Sequence, residues 1–152
     1  MSESPWKPRV TVAAIIESDD RFLMVEENVG GVFFFNQPAG HLENGERILD
    51  AVVRECLEET AWAFEPEHLV GVYRWRSGPD SDTFVRFTFC GAGVAHRPER
   101  RLDPDIHAVH WLGHAEILAR RDALRSPLVL RGIEDYRHGR RFPLDLLRDF
   151  DD

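Results

Sequence analysis

Three glutamates in one short segment carry the chemistry this chain is built for. After Arg54 the sequence runs Glu55-Cys56-Leu57-Glu58-Glu59, and at about 100° per residue on an α-helix the three carboxylates fall within an arc of roughly 100°. Like charges at that spacing repel by roughly a few tenths of a kcal/mol per pair, so such a helix needs open water or a counterion. A solvated acidic face would meet the first need, and a divalent cation the second. Two neighbours favour the cation. A glycine-bearing turn, Gly40 to Gly45, lies immediately upstream, and Arg54 stands four residues before Glu58, where it can orient one carboxylate and leave oxygens free for a metal. Oxygen donors without histidine or cysteine select Mg2+, with Mn2+ as the substitute, over zinc. Such an ion typically keeps some of its waters and bridges to phosphates of a substrate.

The elements that must position these acids are legible in outline. Residues 9–17 contain the β-branched run Val10-Thr11-Val12-Ala13-Ala14-Ile15-Ile16 and predict a buried strand, turned by Ser18-Asp19-Asp20 into a second strand at Phe22-Leu23-Met24-Val25. Gly30-Gly31 precedes a third at Val32 to Phe35, and Pro38-Ala39-Gly40 reads as a break. From 46 to 60 the apolar residues Leu49, Val52, Val53 and Cys56 recur at helical spacing, giving one face that packs on a sheet. Strands are expected at 69–76, 83–94 and 106–112, and helices at 114–121 and 127–138. Ser126-Pro127 opens the last helix as an N-cap followed by proline at the first helical position. This order implies an α/β (α+β) fold, a mixed sheet sandwiched between helices, in one domain spanning 1–152.

The segment from Gly40 to Trp62 resembles the Nudix box, G-x5-E-x7-R-E-U-x-E-E-x-G-U, where U is a bulky apolar residue. Gly40, Glu46, Arg54, Glu55, Glu58 and Glu59 match, while Ala61 stands at the second glycine. Six such matches arise by chance on the order of once in ten million starting points at about 7% per residue type. Ala61 would sit at a left-handed helix terminus, which alanine adopts at a cost of about 1 kcal/mol or more. The resemblance implies a Nudix hydrolase, with Glu55, Glu58 and Glu59 and the Ala39 carbonyl as metal ligands, and with Gly40, Glu46 and Arg54 fixing the loop and the carboxylates. The general base would be Glu55 or an acid of the loop before the strand ending at Trp111, Asp105 first and then Asp103. Both aspartates also suit a plain turn in Leu102-Asp103-Pro104-Asp105.

Beyond the box the chain is similar to a subgroup of bacterial phosphatases within that family. The likeness runs through Lys7 to Ala13, Asn36 to Glu43, Leu124 to Val129 and a C-terminal stretch from Gly139 to Phe150. It implies release of inorganic phosphate from nucleoside di- and triphosphates, and from hydroxymethylpyrimidine diphosphate or thiamine diphosphate. Two other readings stand beside it. One is a housecleaning pyrophosphohydrolase of nucleotides or nucleotide sugars, and the other a non-catalytic domain that senses a nucleotide, which would usually have lost box carboxylates.

Composition narrows the partners. A chain of 152 residues with 43% hydrophobic residues can bury a core. The net charge of −8 argues against a nucleic-acid binder, which needs a basic face. No apolar run approaches the roughly 20 residues of a membrane span, and the start lacks a secretory pattern, so the expected setting is cytoplasmic, as a monomer or homodimer. Cys56 and Cys90 read as core thiols. Lys7 is the only lysine among nineteen basic residues, and arginine suits bidentate phosphate contacts. Candidate substrate contacts are Arg86, which alternates with Phe84 and Thr88 on one strand face, Trp75 beside Arg74, Phe34 or Phe35 before the box, and Arg125 before the last helix.

Overall fold

The computed structural model describes residues 4–151. Strand β1 (Arg9–Ser18) turns through Asp19 and Asp20, both at positive φ, into β2 (Arg21–Val29). The two pair only at Glu17↔Phe22 and Ser18↔Arg21 and then part. Into the opening come β3 (Val32–Asn36), antiparallel to β2, and β4 (Ala39–His41), antiparallel to β1. Helix α1 (Ile48–Thr60) follows, then the long strands β5 (Trp62–Trp75) and β6 (Phe84–His96). Strand β7 (Ile106–Gly113) pairs with β2, and helices α2 (His114–Ala119) and α3 (Pro127–Arg137) complete the core. One half of the mixed sheet is therefore β4-β1-β6-β5, with β1 and β6 parallel, and the other is β3-β2-β7.

The apolar run of β1 explains the layering, because a strand without polar alternation must be covered on both faces. Val12, Ala14 and Ile16 pack with Val52 and Cys56 of α1, while Ile15 packs with Val129 and Ile133 of α3. Helices thus lie on both sides of the sheet, as expected. No helix among the described residues is long and apolar enough to cross a membrane.

Four boundaries differ from the sequence expectation. Ala39–His41 pairs with β1 instead of breaking the chain. Strand β5 begins at Trp62 rather than residue 69, because Pro66 and its polar neighbours are accommodated at register shifts around 63–71. Strand β2 continues to Val29, because Glu26 and Glu27 pair with both β3 and β7 and Asn28 pairs with Phe33 and donates its N–H to the Asp105 carbonyl, although these side chains are not strand-like. Helix α1 starts at Ile48, leaving Glu46 free to act as a side-chain anchor.

Candidate active site

The site forms where β1 and β2 part. Hydrogen bonds between β4 and β1 run through the Pro38 carbonyl and the Leu42 N–H, so the intervening Ala39 turns its own N–H and carbonyl away from β1 and toward α1. The Ala39 N–H donates to Glu59 Oε1 at 2.8 Å. Beside it, the absence of a side chain at Gly40 makes room for the Glu55 carboxylate, which a Cβ there would displace. Two of the three helix acids are therefore pressed against the β4 backbone, Glu55 on Gly40 and Glu59 on Ala39.

Arg54 organises the rest. Its Nε and Nη2 donate to the two oxygens of Glu46 at 2.7 and 3.0 Å, a bidentate pair that ties the 41–46 loop to the helix. Its Nη2 also donates to the His41 carbonyl at 3.1 Å, and its Nη1 reaches Glu55 Oε1 at 2.9 Å and Glu58 Oε2 at 3.2 Å. The pairing with Glu58 across one helical turn is the one expected from spacing. The contacts to Glu46 and Glu55 make the guanidinium the single hub of the loop, and they raise its own pKa while lowering that of Glu46.

Two of the helix acids cluster with an acid of the loop before β7. Glu55, Glu58 and Asp103 place carboxylate oxygens within 4.8 Å of one another. Asp103 is brought there by its N–H, which donates to the Glu58 carbonyl at 3.0 Å. Glu59 lies outside that group, buried beside Ala39, and Glu27 of β2 adds a further negative charge near it. Burial pushes the Glu55 carboxyl up to about 7 against the pull of Arg54, and pushes Glu59 up to about 9, with Glu27, Glu55 and Asp103 adding to the effect. Two buried carboxyls held this far from their ordinary range are stabilised as anions by a cation, and the donor set is all oxygen. These residues suit a divalent metal.

A cavity of about 760 Å³ opens over Ala39, Gly40, Glu55 and Glu59. Arg86 of β6 forms part of its wall and is buried, and its Nη2 donates to Asn36 Oδ1 at 3.1 Å and to the Gln37 side-chain oxygen. No carboxylate ion-pairs with it among the described residues, and its Nε has no partner. Burial lowers its pKa to about 10, with Glu27 and Glu59 opposing. A buried guanidinium bonded only to neutral amides is suited to an anion.

Residues 7–131 match the NUDIX domain family. The chain belongs to the Nudix hydrolase family. It is 40% identical over 145 residues to the phosphatase NudJ of Escherichia coli K12, covering 95% of this chain and 94% of that one, and equally so to NudJ of Shigella boydii. Among solved structures, a NUDIX hydrolase from Nitrosomonas europaea superposes with a TM-score of 0.92 at 49% identity, covering 95% of this chain and 98% of the other. The NUDIX domain of Shewanella oneidensis NrtR, complexed with ADP ribose, reaches 0.68 at 17% identity over 87% of this chain and 88% of that one, a likeness in fold alone.

Within this Nudix box the second-glycine position behaves as the motif suggested. Ala61 caps α1 at φ 63 and ψ 14, donating its N–H to the Leu57 carbonyl at 3.0 Å. Other candidates need revision. Asp105 lines the cavity but stands outside the carboxylate group, and Asp103 is the loop acid that joins it. Phe35 lies opposite Glu26 in the β2–β3 pairing and packs into the core under α3, so strand alternation turns it from the cavity. Phe34, opposite Glu27, instead lies under the Arg125 guanidinium at 5.8 Å. Trp75 and Arg125 border the cavity over Glu55 and Glu59, whereas Arg74 lines an adjoining one. Arg125 also lies 3.7 Å from Glu27. Sequence reasoning missed Glu27, which hydrogen-bonds Asn36 at 3.2 Å and whose pKa burial raises. The only signal was a pair of acids, Glu26-Glu27, directly after the apolar run of β2, and the bulge between them is a tertiary feature.

Proposed function

We propose that this protein is a Mg2+-dependent Nudix phosphatase that releases inorganic phosphate from nucleoside di- and triphosphates and from hydroxymethylpyrimidine diphosphate or thiamine diphosphate. The observation that carries the reading is a cavity lined by the acids Glu55, Glu59 and Asp103 and walled by the buried Arg86, with Glu58 clustered against Glu55 and Asp103. Retention of all three box carboxylates speaks against a domain that only senses a nucleotide. The likeness to the phosphatase NudJ over nearly the full length of both chains supports the choice of product.

Glu55, Glu58, Glu59 and the Ala39 carbonyl would hold the Mg2+, with Mn2+ as a substitute. When bound, the ion supplies charge stabilisation of the phosphoryl oxygens and a more acidic water. Around it the chain's own groups have separate tasks. Arg54 fixes Glu55 and Glu58, and Glu46 fixes Arg54. Asp103 is the loop acid that lies beside Glu55 and Glu58 and makes no ion pair among the described residues, so its carboxylate is assigned to accept the proton of the attacking water. Arg86 binds a phosphate oxygen, and Trp75 with Arg125 borders the organic part of the substrate. One chain supplies every group, so the site is complete in a monomer and is carried twice by a homodimer. The free buried thiols Cys56 and Cys90 and a small phosphate substrate suit a cytoplasmic enzyme.

A panel of the named diphosphates and triphosphates, assayed with Mg2+ for orthophosphate and pyrophosphate together, tests this. Orthophosphate is the expected first product. Pyrophosphate alone from a triphosphate would assign the chain to the pyrophosphohydrolases instead, and no turnover of any member would remove the catalytic reading.

A further inference from the structure

The catalytic cavity does not end at its own walls. A second cavity of about 860 Å³ adjoins it, and Trp75, Arg125, Ser126 and Leu128 border both. The two differ in charge. The first is lined by Glu27, Glu55, Glu59 and Asp103, and the second by Arg74, Arg121, Arg125 and Arg131. Of the two acids in the second cavity, Glu134 is engaged with His114 and Arg137. Among the described residues Arg74, Arg121 and Arg131 form no ion pair at all. In a chain of net charge −8, so many uncompensated guanidiniums around one depression are a local reversal of the protein's field.

We infer that this arginine-lined annex receives a second anionic group, a phosphate carried on the organic part of the substrate and remote from the bond that is cut. The inference rests on the proposed hydrolase reading and deepens it by naming the substrate class. Acids cover the wall around Glu55 and Glu59, so an additional phosphate on the same molecule is repelled there and attracted past Trp75. The indole at the shared border offers a ring surface between the two ends, and guanidiniums bind phosphate bidentately. An annex of this volume holds both a ring and a phosphate. The preferred substrates are accordingly small organic diphosphates bearing a further phosphate ester, in preference to the same compounds without it.

Adenosine 5′-monophosphate and adenosine 3′,5′-bisphosphate differ by one phosphate ester, and neither contains a phosphoanhydride. Their binding to the wild-type enzyme in Mg2+ can therefore be measured by calorimetry without turnover. At low salt the bisphosphate should bind on the order of tenfold more tightly, and the preference should shrink as salt rises. The double variant Arg121→Ala/Arg131→Ala should bind both alike, while keeping the wild-type melting temperature and turnover of a simple diphosphate, since both side chains are exposed and outside the catalytic cavity. Equal affinities in the wild type, or a preference that survives in the double variant, overturn the annex. Either result with orthophosphate release intact leaves the parent reading standing, whereas absence of turnover across the substrate panel sinks the parent reading itself.

Discussion

Replacing Glu59 by Gln should make the metal-free protein more stable at alkaline pH while removing its activity. The Glu59 carboxyl is 7% exposed and accepts the Ala39 N–H at 2.8 Å, and burial pushes it from the ordinary 4.5 up to about 9. A folded-state pKa above the unfolded one gives a stability contribution that is complete below pH 4.5 and is lost as pH rises toward 9. At pH 7, two and a half units above the unfolded value, the loss is roughly 3 kcal/mol at about 1.4 kcal/mol per unit. Glutamine has the same shape and keeps an oxygen for the Ala39 N–H, but it does not ionise. Its new NH2 group needs an acceptor, at a cost of about 1 kcal/mol, so the net gain in chelator is about 2 kcal/mol at pH 7 and vanishes near pH 5. Urea denaturation of both proteins in EDTA between pH 5 and pH 8.5 measures this. In saturating Mg2+ the order should reverse, because ion binding stabilises only the protein that retains the carboxylate. Turnover should fall by orders of magnitude. A stability gap that stays constant across pH, or a variant that Mg2+ stabilises as much as wild type, would refute the account of Glu59 as a buried carboxyl that is protonated without metal and ionised by a bound cation.

Three further outcomes follow from the same geometry. Gly40→Ala inserts a methyl group where the Glu55 carboxylate lies, so turnover should drop on the order of a hundredfold with about 1–3 kcal/mol of destabilisation; near-normal kinetics would show that Glu55 is free to move without consequence. Arg54→Lys keeps the charge but loses the fork onto Glu46, and chemical denaturation should register a loss of about 1–2 kcal/mol together with a lower kcat. Asp103→Asn should lower kcat far more than Asp105→Asn, since only Asp103 joins Glu55 and Glu58; the opposite ranking in steady-state assays would return the base to Asp105.

What the sequence determined by itself was the chemistry and the helix that bears it. Spacing on a helix is a local property, so Glu55, Glu58 and Glu59 could be placed on one side of α1, Arg54 against Glu58, Ser126 as a cap and Ala61 at a left-handed terminus without knowing anything distant. The apolar run of β1 likewise announced a strand covered on both faces. Tertiary structure decided which acids meet. Asp103 joins Glu55 and Glu58 because a backbone bond from its N–H reaches the end of α1, and Glu59 is separated from them because β4 offers it the Ala39 N–H. Glu27 turns toward the cavity beside a bulge in its pairing with β7, and strand alternation turns Phe35 into the core. The bulge is set by the pairing with β7, far along the chain, and a shift of one residue reverses every side chain, so no reading of neighbours in sequence could have placed Glu27.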